Sequence, residues 1–166
     1  MTRSFLVLVL AMAALVLASD QLSKAWALEL LRVEGASVDW PGPLALTLVF
    51  NQSNAFGFAP DLGELSRWGL TFMNLAVAAL LLILVSRRDL RPLEASGFAL
   101  IAAGAIGNAV DRVRFGAVVD FLDATEIGFV WVFNIADAAI DLGIGLWLLG
   151  ALLTAWRARS RGRAAI

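Results

Sequence analysis

Two aspartates, Asp120 and Asp137, lie in or beside apolar runs of a chain that contains no histidine and no cysteine. An ionisable residue at membrane depth is costly, so its presence indicates a functional site. Without histidine or cysteine, the usual nucleophilic triads and zinc sites are excluded. Two carboxylates held together in a dry site cannot both ionise, so one keeps a proton as general acid and the other serves as general base. This chemistry predicts amide hydrolysis of the aspartic type, with no cofactor and no metal.

Two further groups of polar residues share helix faces. Asp20 and Lys24 are four residues apart and are predicted to pair on one face of a helix. Asn108 and Asp111 also share a face, and Arg112 follows directly. The residues alone leave open whether Asp111 and Arg112 form an interfacial ion pair or support the aspartate site, and we favour a structural or supporting role.

Asp137 has polar neighbours on its own predicted helix. Asn134 precedes it, and Asp141 lies one turn further along the same face. Burying an unpaired charge is costly, which favours a chemical role for Asp137 over a purely structural one. We interpret Asp141 as a second buried acid that supports Asp137.

The composition indicates an integral membrane protein. Of the 166 residues, 60% are hydrophobic and only 16% are charged, and the mean hydropathy is +0.81. Soluble domains are typically about 45–50% apolar. The net charge of -1 gives no reason to expect a nucleic-acid partner, and the length fits a single domain over residues 1–166.

Four apolar segments are long enough to cross the hydrocarbon as helices, and they are approximately residues 5–28, 68–86, 95–113 and 130–156. The first resembles a secretion signal, but we favour a retained helix because the apolar pattern resumes after the polar cluster Asp20–Lys24. The arginines cluster on one side of this arrangement, which predicts cytoplasmic termini. In the outward segment 29–67, the run 44–50 is bounded by turn residues and reads as a strand. The predicted fold is an all-α membrane protein with four transmembrane helices and a small periplasmic β element between the first and second.

Five motifs, taken together and in this order, resemble the lipoprotein signal peptidases, also called signal peptidase II. They are Asp20-Gln21-Leu22-Ser23-Lys24, Asn51 with Ala55-Phe56-Gly57, the segment from Gly104 to Arg112, Gly116-Ala117-Val118-Val119-Asp120-Phe121, and Phe133-Asn134-Ile135-Ala136-Asp137. The resemblance covers most of the chain. The chain departs from the family at Ser53-Asn54, where Gly-Ala is usual, and at Ala103, where a glycine is usual.

The resemblance implies a bacterial inner-membrane aspartic endopeptidase that cuts prolipoproteins just before a diacylglyceryl-modified cysteine. It implies catalytic roles for Asp120 and Asp137 and an active site towards the periplasm. A surrounding polar and substrate-binding shell is also implied: Asp20, Lys24, Asn51, Asn108, Asp111, Arg112 and Asn134. The expected partners are lipid-modified prolipoproteins and membrane lipid, with no nucleic acid, and the expected state is a monomer.

The same polar residues allow three alternatives to an aspartic peptidase. A serine–lysine dyad of Ser19 or Ser23 with Lys24 is disfavoured. Ser23 and Lys24 are adjacent and so point to different helix faces, and such a dyad would leave Asp120 and Asp137 without a role. A small proton-coupled transporter would use Asp137 and Asp141 as a relay, and a membrane scaffold would need neither. A relay requires acids strung through the membrane, whereas a protease requires two acids that converge at one point.

Overall fold

The computed structural model describes residues 2–39, 41–52, 63–87 and 90–163. The elements in chain order are α1 (Arg3–Leu31), β1 (Ser37–Val38), β2 (Ala45–Asn51), α2 (Glu64–Ser86), α3 (Pro92–Phe115), β3 (Val118–Asp123), β4 (Val132–Phe133) and α4 (Ile135–Arg163), with a short 3-10 helix at Thr125–Ile127. The motif residues Ala55-Phe56-Gly57 and the departure at Ser53-Asn54 fall outside these residues.

Within the described part of the chain, four helices are long and apolar enough to cross a membrane, which confirms that prediction. α4 begins at Ile135, later than the position predicted from hydropathy. The reason is local, because Val132 and Phe133 have the β-branched and aromatic side chains that favour strands, and they pair in β4. Asn134 then accepts a hydrogen bond from the backbone N–H of Asp137 (2.9 Å) and so caps the helix.

α3 is the central helix and packs against α1, α2 and α4. Its buried positions are mostly alanine and glycine, and small residues allow membrane helices to approach closely. At Gly97, an added Cβ would lie 2.5 Å from the carbonyl oxygen of Gly143 on α4. The backbones of α3 and α4 therefore touch directly at this level.

An antiparallel sheet in the order β1-β2-β3-β4 lies within the described residues. The expectation that the β element lies between the first and second helices is wrong for half of it, because β3 and β4 lie between α3 and α4. Hydropathy did not reveal β3 because it is short and carries two aspartates. β3 pairs with β2, which is distant in sequence, and Asp120 lies opposite Val49 in this pair.

The sheet is attached to the last turns of α1 and α3. Ala27 and Leu31 of α1 form a buried cluster with strand residues that include Val119 and Phe121. α3 ends at Gly116, whose φ of 79° is a left-handed conformation that glycine adopts without strain. β3 then starts two residues later. This connection brings Asp120 to the end of the bundle where α4 begins, which we call the site end.

Candidate active site

Asp120 lies in the middle of β3 with only 2% of its surface exposed. Its Oδ1 accepts a hydrogen bond from Nδ2 of Asn134 (2.6 Å), and its Oδ2 accepts one from Nδ2 of Asn51 on β2 (3.0 Å). Each carboxylate oxygen is thus oriented by an amide from a different element. The direction of the carboxyl group is thereby fixed.

Asp137 lies in the first turn of α4 and is half-buried. Its Oδ1 accepts a hydrogen bond from Nδ2 of Asn108 on α3 (2.8 Å). The first turn of a helix favours a negative charge because its free N–H groups point towards the end. The carboxylate of Asp137 therefore combines a favourable helix position with a direct contact to the central helix.

Asn134 joins the two aspartates through one amide group. Its Nδ2 donates to Asp120, and its Oδ1 accepts from the backbone N–H of Asp137. Asn134 itself is completely buried, and its Nδ2 also contacts Oδ1 of Asn108 (3.3 Å). The two aspartates predicted from the sequence thus meet at the junction of β3, α3 and α4.

Burial, and then the nearby negative charge of Asp137, raise the pKa of Asp120 to about 7 against the opposing effect of the hydrogen bonds from Asn51 and Asn134. A carboxyl group in a dry site resists ionisation, and a second carboxylate beside it adds to that resistance. Asp120 is therefore a group that can hold a proton close to neutral pH.

Lys24 is the centre of a buried ion cluster beside the aspartates. Its Nζ lies 2.9 Å from Oδ2 of Asp20 and 2.7 Å from Oδ2 of Asp111, and it also donates to Oδ1 of Asn108 (3.2 Å). The predicted pair of Asp20 and Lys24 is present. The interfacial ion pair considered for Asp111 with Arg112 is replaced by the contact with Lys24, because Asp111 points inward towards α1.

The two acids of this cluster also hold the backbone of the elements that carry the catalytic candidates. Oδ1 of Asp20 accepts the N–H of Ala136 in the first turn of α4 (2.9 Å). Oδ2 of Asp111 accepts the N–H of Val119, next to Asp120 (3.2 Å). The free N–H groups of a helix start need such partners. Lys24 consequently links α4 and β3 through its two carboxylate neighbours.

A sequence model of the family described as signal peptidase (SPase) II matches residues 12–153. The chain is also 44% identical over 146 residues to a lipoprotein signal peptidase of Caulobacter vibrioides, which covers 87% of this chain and 86% of the relative. This chain belongs to the signal peptidase II family. A lipoprotein signal peptidase of an Azoarcus species is 40% identical over 144 residues, covering 86% of this chain and 81% of the relative.

Solved structures agree with this membership of the signal peptidase II family. A structure described as a bacterial membrane enzyme, obtained by the in meso method, matches with a TM-score of 0.69 at 28% identity and covers 92% of this chain and 89% of its own. A second structure with the same description matches with a TM-score of 0.68 at 27% identity, covering 90% and 94%. The resemblance read from the motifs is confirmed, and the chain is a peptidase of a membrane enzyme family.

Two other polar residues that the sequence analysis considered, Arg112 and Asp141, lie in different surroundings. Arg112 is buried, and its guanidinium lies within electrostatic reach of Asp137, Asp120 and Asp111. Asp141 is exposed on the surface of the helices. The interpretation of Asp141 as a second buried acid is therefore wrong, because its position on α4 faces away from α3.

Sequence reasoning assigned neither Gln21 nor Gly107 to the polar shell, although both complete this site. Nε2 of Gln21 contacts Oδ1 of Asp111 and Oδ2 of Asp20, both at 3.1 Å. An added Cβ at Gly107 would lie 2.6 Å from Oδ2 of Asp20, so only glycine leaves room for that carboxylate. Gln21 stood within the first motif and could have been assigned. The role of Gly107 depends on a contact with α1 that no local pattern indicates.

Proposed function

We propose that this protein is an aspartic endopeptidase that removes signal peptides from prolipoproteins, with Asp120 and Asp137 as its catalytic residues. The observation that carries the proposal is the single amide of Asn134, which bonds the carboxylate of Asp120 and the backbone of Asp137 at the same point. Hydrolysis by two carboxyl groups requires one to be protonated and the other ionised. The raised pKa of Asp120, about 7, supports its role as the proton carrier.

The proposed reaction uses Asp137 as the base and Asp120 as the acid. Asp137 takes a proton from water as the water oxygen attacks the scissile carbonyl carbon, and Asp120 gives its proton to the carbonyl oxygen. The neutral tetrahedral intermediate collapses as Asp137 gives its proton to the amide nitrogen, Asp120 takes a proton from a hydroxyl group of the intermediate, and the C–N bond breaks. The products are a carboxyl group on the signal peptide and a free amino group on the cysteine, and the pair returns to its singly protonated state.

The other site residues orient this pair in the proposal. Asn51, Asn108 and Asn134 direct the carboxyl groups through the amide bonds described above. Asp20, Lys24 and Asp111 hold the backbone segments that carry them. Arg112 supplies a buried positive charge near both aspartates, which stabilises the partial negative charge that develops on the carbonyl oxygen before the proton of Asp120 is fully transferred.

Recognition of the substrate by its lipid follows from the surroundings of the pair. A peptide drawn to this site from the membrane surface leaves water, and each unsatisfied backbone group in hydrocarbon costs several kcal/mol. Acyl chains offset that cost by about 0.8 kcal/mol for each buried CH₂ and fix the modified cysteine at one depth. We infer that the scissile bond directly before a diacylglyceryl-modified cysteine is thereby presented to Asp120 and Asp137.

The proposed location is the bacterial inner membrane, with both termini in the cytoplasm and the site end towards the periplasm. The arginines support this orientation, because Arg3, Arg87, Arg91 and Arg157 all belong to the end opposite the aspartates. The chain is proposed to work as a monomer that associates with membrane lipid, because both candidate catalytic groups come from one chain.

The decisive experiment compares two precursors that differ only in the lipid on the cysteine. The purified protein is incubated with each precursor in matched micelles, and the product masses are measured. Cleavage immediately before the modified cysteine is expected, with a much lower kcat/KM for the unmodified precursor. Equal rates would remove the lipid from recognition and favour a general signal peptidase, and an uncut modified precursor would reject the proposed function.

The orientation is tested separately with single cysteines, since the natural chain has none. Cysteines at Arg3, Arg87 and Arg157 are expected to be shielded from a membrane-impermeant thiol reagent in intact cells, whereas one at Glu64 is labelled. The reverse pattern would put the aspartates on the cytoplasmic side.

A further inference from the structure

The turn between β3 and β4 exposes a group of large apolar side chains outside the spanning helices. Residues 127–131 form this turn, which we call the apolar tip. The exposed fractions are 48% for Ile127, 57% for Phe129, 86% for Val130 and 68% for Trp131. The sequence carries no charge from Ile127 through Phe133, and Glu126 lies directly before the apolar tip. Contiguous exposed apolar surface of this kind indicates a contact with another apolar phase or molecule.

The apolar tip is held rigidly by backbone hydrogen bonds. The carbonyl oxygen of Ala124 accepts the N–H groups of Ile127 and Phe129, and the N–H of Ala124 donates to the carbonyl oxygen of Trp131, all at 3.1 Å. Oδ1 of Asp123 accepts the backbone N–H of Thr125 (2.9 Å), which fixes the start of the turn. The apolar side chains are therefore presented outward by an ordered turn, so little conformational entropy is lost on contact.

The apolar tip is also connected firmly to the strand that carries Asp120. Leu122 pairs with Phe133 and Asp123 with Val132 in adjacent strands. Asp123 lies three residues from Asp120, a distance of about 10 Å along a strand. A force on the apolar tip is transmitted to Asp120 through this strand pair without an intervening flexible segment.

We propose that the apolar tip inserts into the interfacial layer of the lipid bilayer and sets the height of Asp120 relative to the lipid. Both ends of the β3–β4 segment continue into membrane-crossing helices, α3 at Phe115 and α4 at Ile135. The apolar tip is thus tethered at a membrane surface, where lipid is the apolar phase in reach. Tryptophan prefers this interfacial layer, and the position of Glu126 gives the turn a polar side that remains in water.

The inference deepens the proposed function and rests on it, because it concerns how substrate and catalytic group reach the same depth. A substrate anchored by acyl chains has its scissile bond at a height defined by the bilayer. An enzyme that anchors β3 in the same layer holds Asp120 at a matching height.

The insertion is tested with nitroxide labels on single cysteines, which the cysteine-free chain allows. One label replaces Val130, and the matched control replaces Glu126, a charged and exposed residue directly before the apolar tip. In liposomes, the label at Val130 is expected to collide more often with oxygen than with a water-soluble nickel complex, and the label at Glu126 is expected to show the opposite preference. The same water-like accessibility at both positions would overturn the insertion.

Dipolar broadening between labels at Val130 on neighbouring copies would assign the apolar tip to self-association and would also overturn it. None of these spectroscopic results depends on whether the protein cleaves a precursor, so they distinguish a failure of the inference from a failure of the proposed function.

The link to catalysis is tested with the double variant Phe129→Ser, Val130→Ser. In bilayers its kcat/KM is expected to fall at least about tenfold, because the height of Asp120 is no longer fixed. In detergent micelles, which adapt their shape to the protein, the rate should stay near that of the unaltered chain. Glu126→Ser serves as the control and should keep its rate in both media. A double variant that retains the bilayer rate would contradict the height-setting role.

Discussion

Both halves of α3 pack closely against α4, but they differ in the side chains that they bury. In the N-terminal half, Gly97 meets Gly143 of α4, and the surroundings are apolar. In the C-terminal half, an added Cβ at Gly104 would overlap the carbonyl oxygen of Ala136, and Asn108 and a buried carboxylate follow on the same helix. Small residues bring the backbones together in both halves, but the buried polar side chains of α3 lie in the C-terminal half, where α1, β3 and the start of α4 supply their partners.

This difference shows how a small membrane protein can tolerate a buried charged site that adds little to its free energy of unfolding. A buried ion cluster often contributes little net stability, because removing the charges from water costs as much as their attraction returns. Dispersion contacts between closely packed helices have no such desolvation cost. The N-terminal half of α3 can therefore hold the bundle together while the C-terminal half carries the buried polar groups of the candidate site.

The largest expected effect comes from the aspartates in the polar half. Asp120→Asn and Asp137→Asn should each lower the cleavage rate by about 10³-fold or more, because the amide keeps the shape but cannot transfer the proton. Thermal unfolding in the same detergent should show no loss of stability. A variant of either residue that keeps near-normal turnover would exclude that residue from catalysis, and Asp141→Asn, at an exposed position, is the control that should retain activity.

The next effect should come from the ion cluster. Lys24→Met leaves Asp20 and Asp111 buried without their cation, and breaking such a contact costs about 3–5 kcal/mol. Activity should fall as well, because Ala136 and Val119 lose firm anchors. Arg32→Met, at an exposed position near the end of the same helix, should change stability by less than about 0.5 kcal/mol. Equal melting temperatures for the two variants would show that the cluster is not a structural link.

A smaller effect is expected from the apolar half. Gly97→Ala forces the backbones of α3 and α4 apart, because its Cβ would lie 2.5 Å from the carbonyl oxygen of Gly143, and overpacking of this kind costs about 1–3 kcal/mol. Gly145→Ala, where nothing lies within 4 Å, should be neutral or stabilising. Thermal unfolding measures both. Turnover per folded molecule should be unchanged in each, and a specific loss of turnover in Gly97→Ala would mean that the two halves are not independent.

The smallest effect is a shift in pH dependence. Since the pKa of Asp120 is about 7, kcat/KM should fall as the pH rises through that value and the acid loses its proton. The hydrogen bond from Asn51 lowers this pKa, so Asn51→Ala should move the alkaline limb to higher pH. Thr47→Val, on the same strand but bonded to Asp123, should leave the limb in place. A shift to lower pH in Asn51→Ala would contradict the proposed proton carrier.

The same pKa has a consequence for stability. The folded state holds the proton of Asp120 up to about pH 7, whereas an unfolded aspartate releases it near pH 4. Between these values the folded state binds more protons, so this residue makes the protein less stable as the pH rises. Asp120→Asn removes that dependence, and its melting temperature at pH 8 should equal or exceed that of the unaltered chain.

The sequence predicted the parts of the molecule that depend on local pattern. Hydropathy and length gave the long apolar helices, and the spacing of Asp20 and Lys24 gave their pair. β3 could not be predicted in this way, because its identity depends on pairing with β2 across a large sequence separation. The ion-pair partner of Asp111 could not be predicted from the sequence either. Lys24 lies on another helix, and the adjacent Arg112 was the simpler candidate.

The bond from the N–H of Ala136 to Asp20 joins positions 116 residues apart. This bond ties the last helix to the first, so the site cannot be complete during synthesis until α4 has entered the membrane beside α1. A nascent chain that ends after β3 already has Asp120 but lacks Asp137 and the cap of Asn134. If Asp120 and Asp137 form the proposed catalytic pair, a partly synthesised chain cannot hydrolyse peptides in the membrane before α4 is in place.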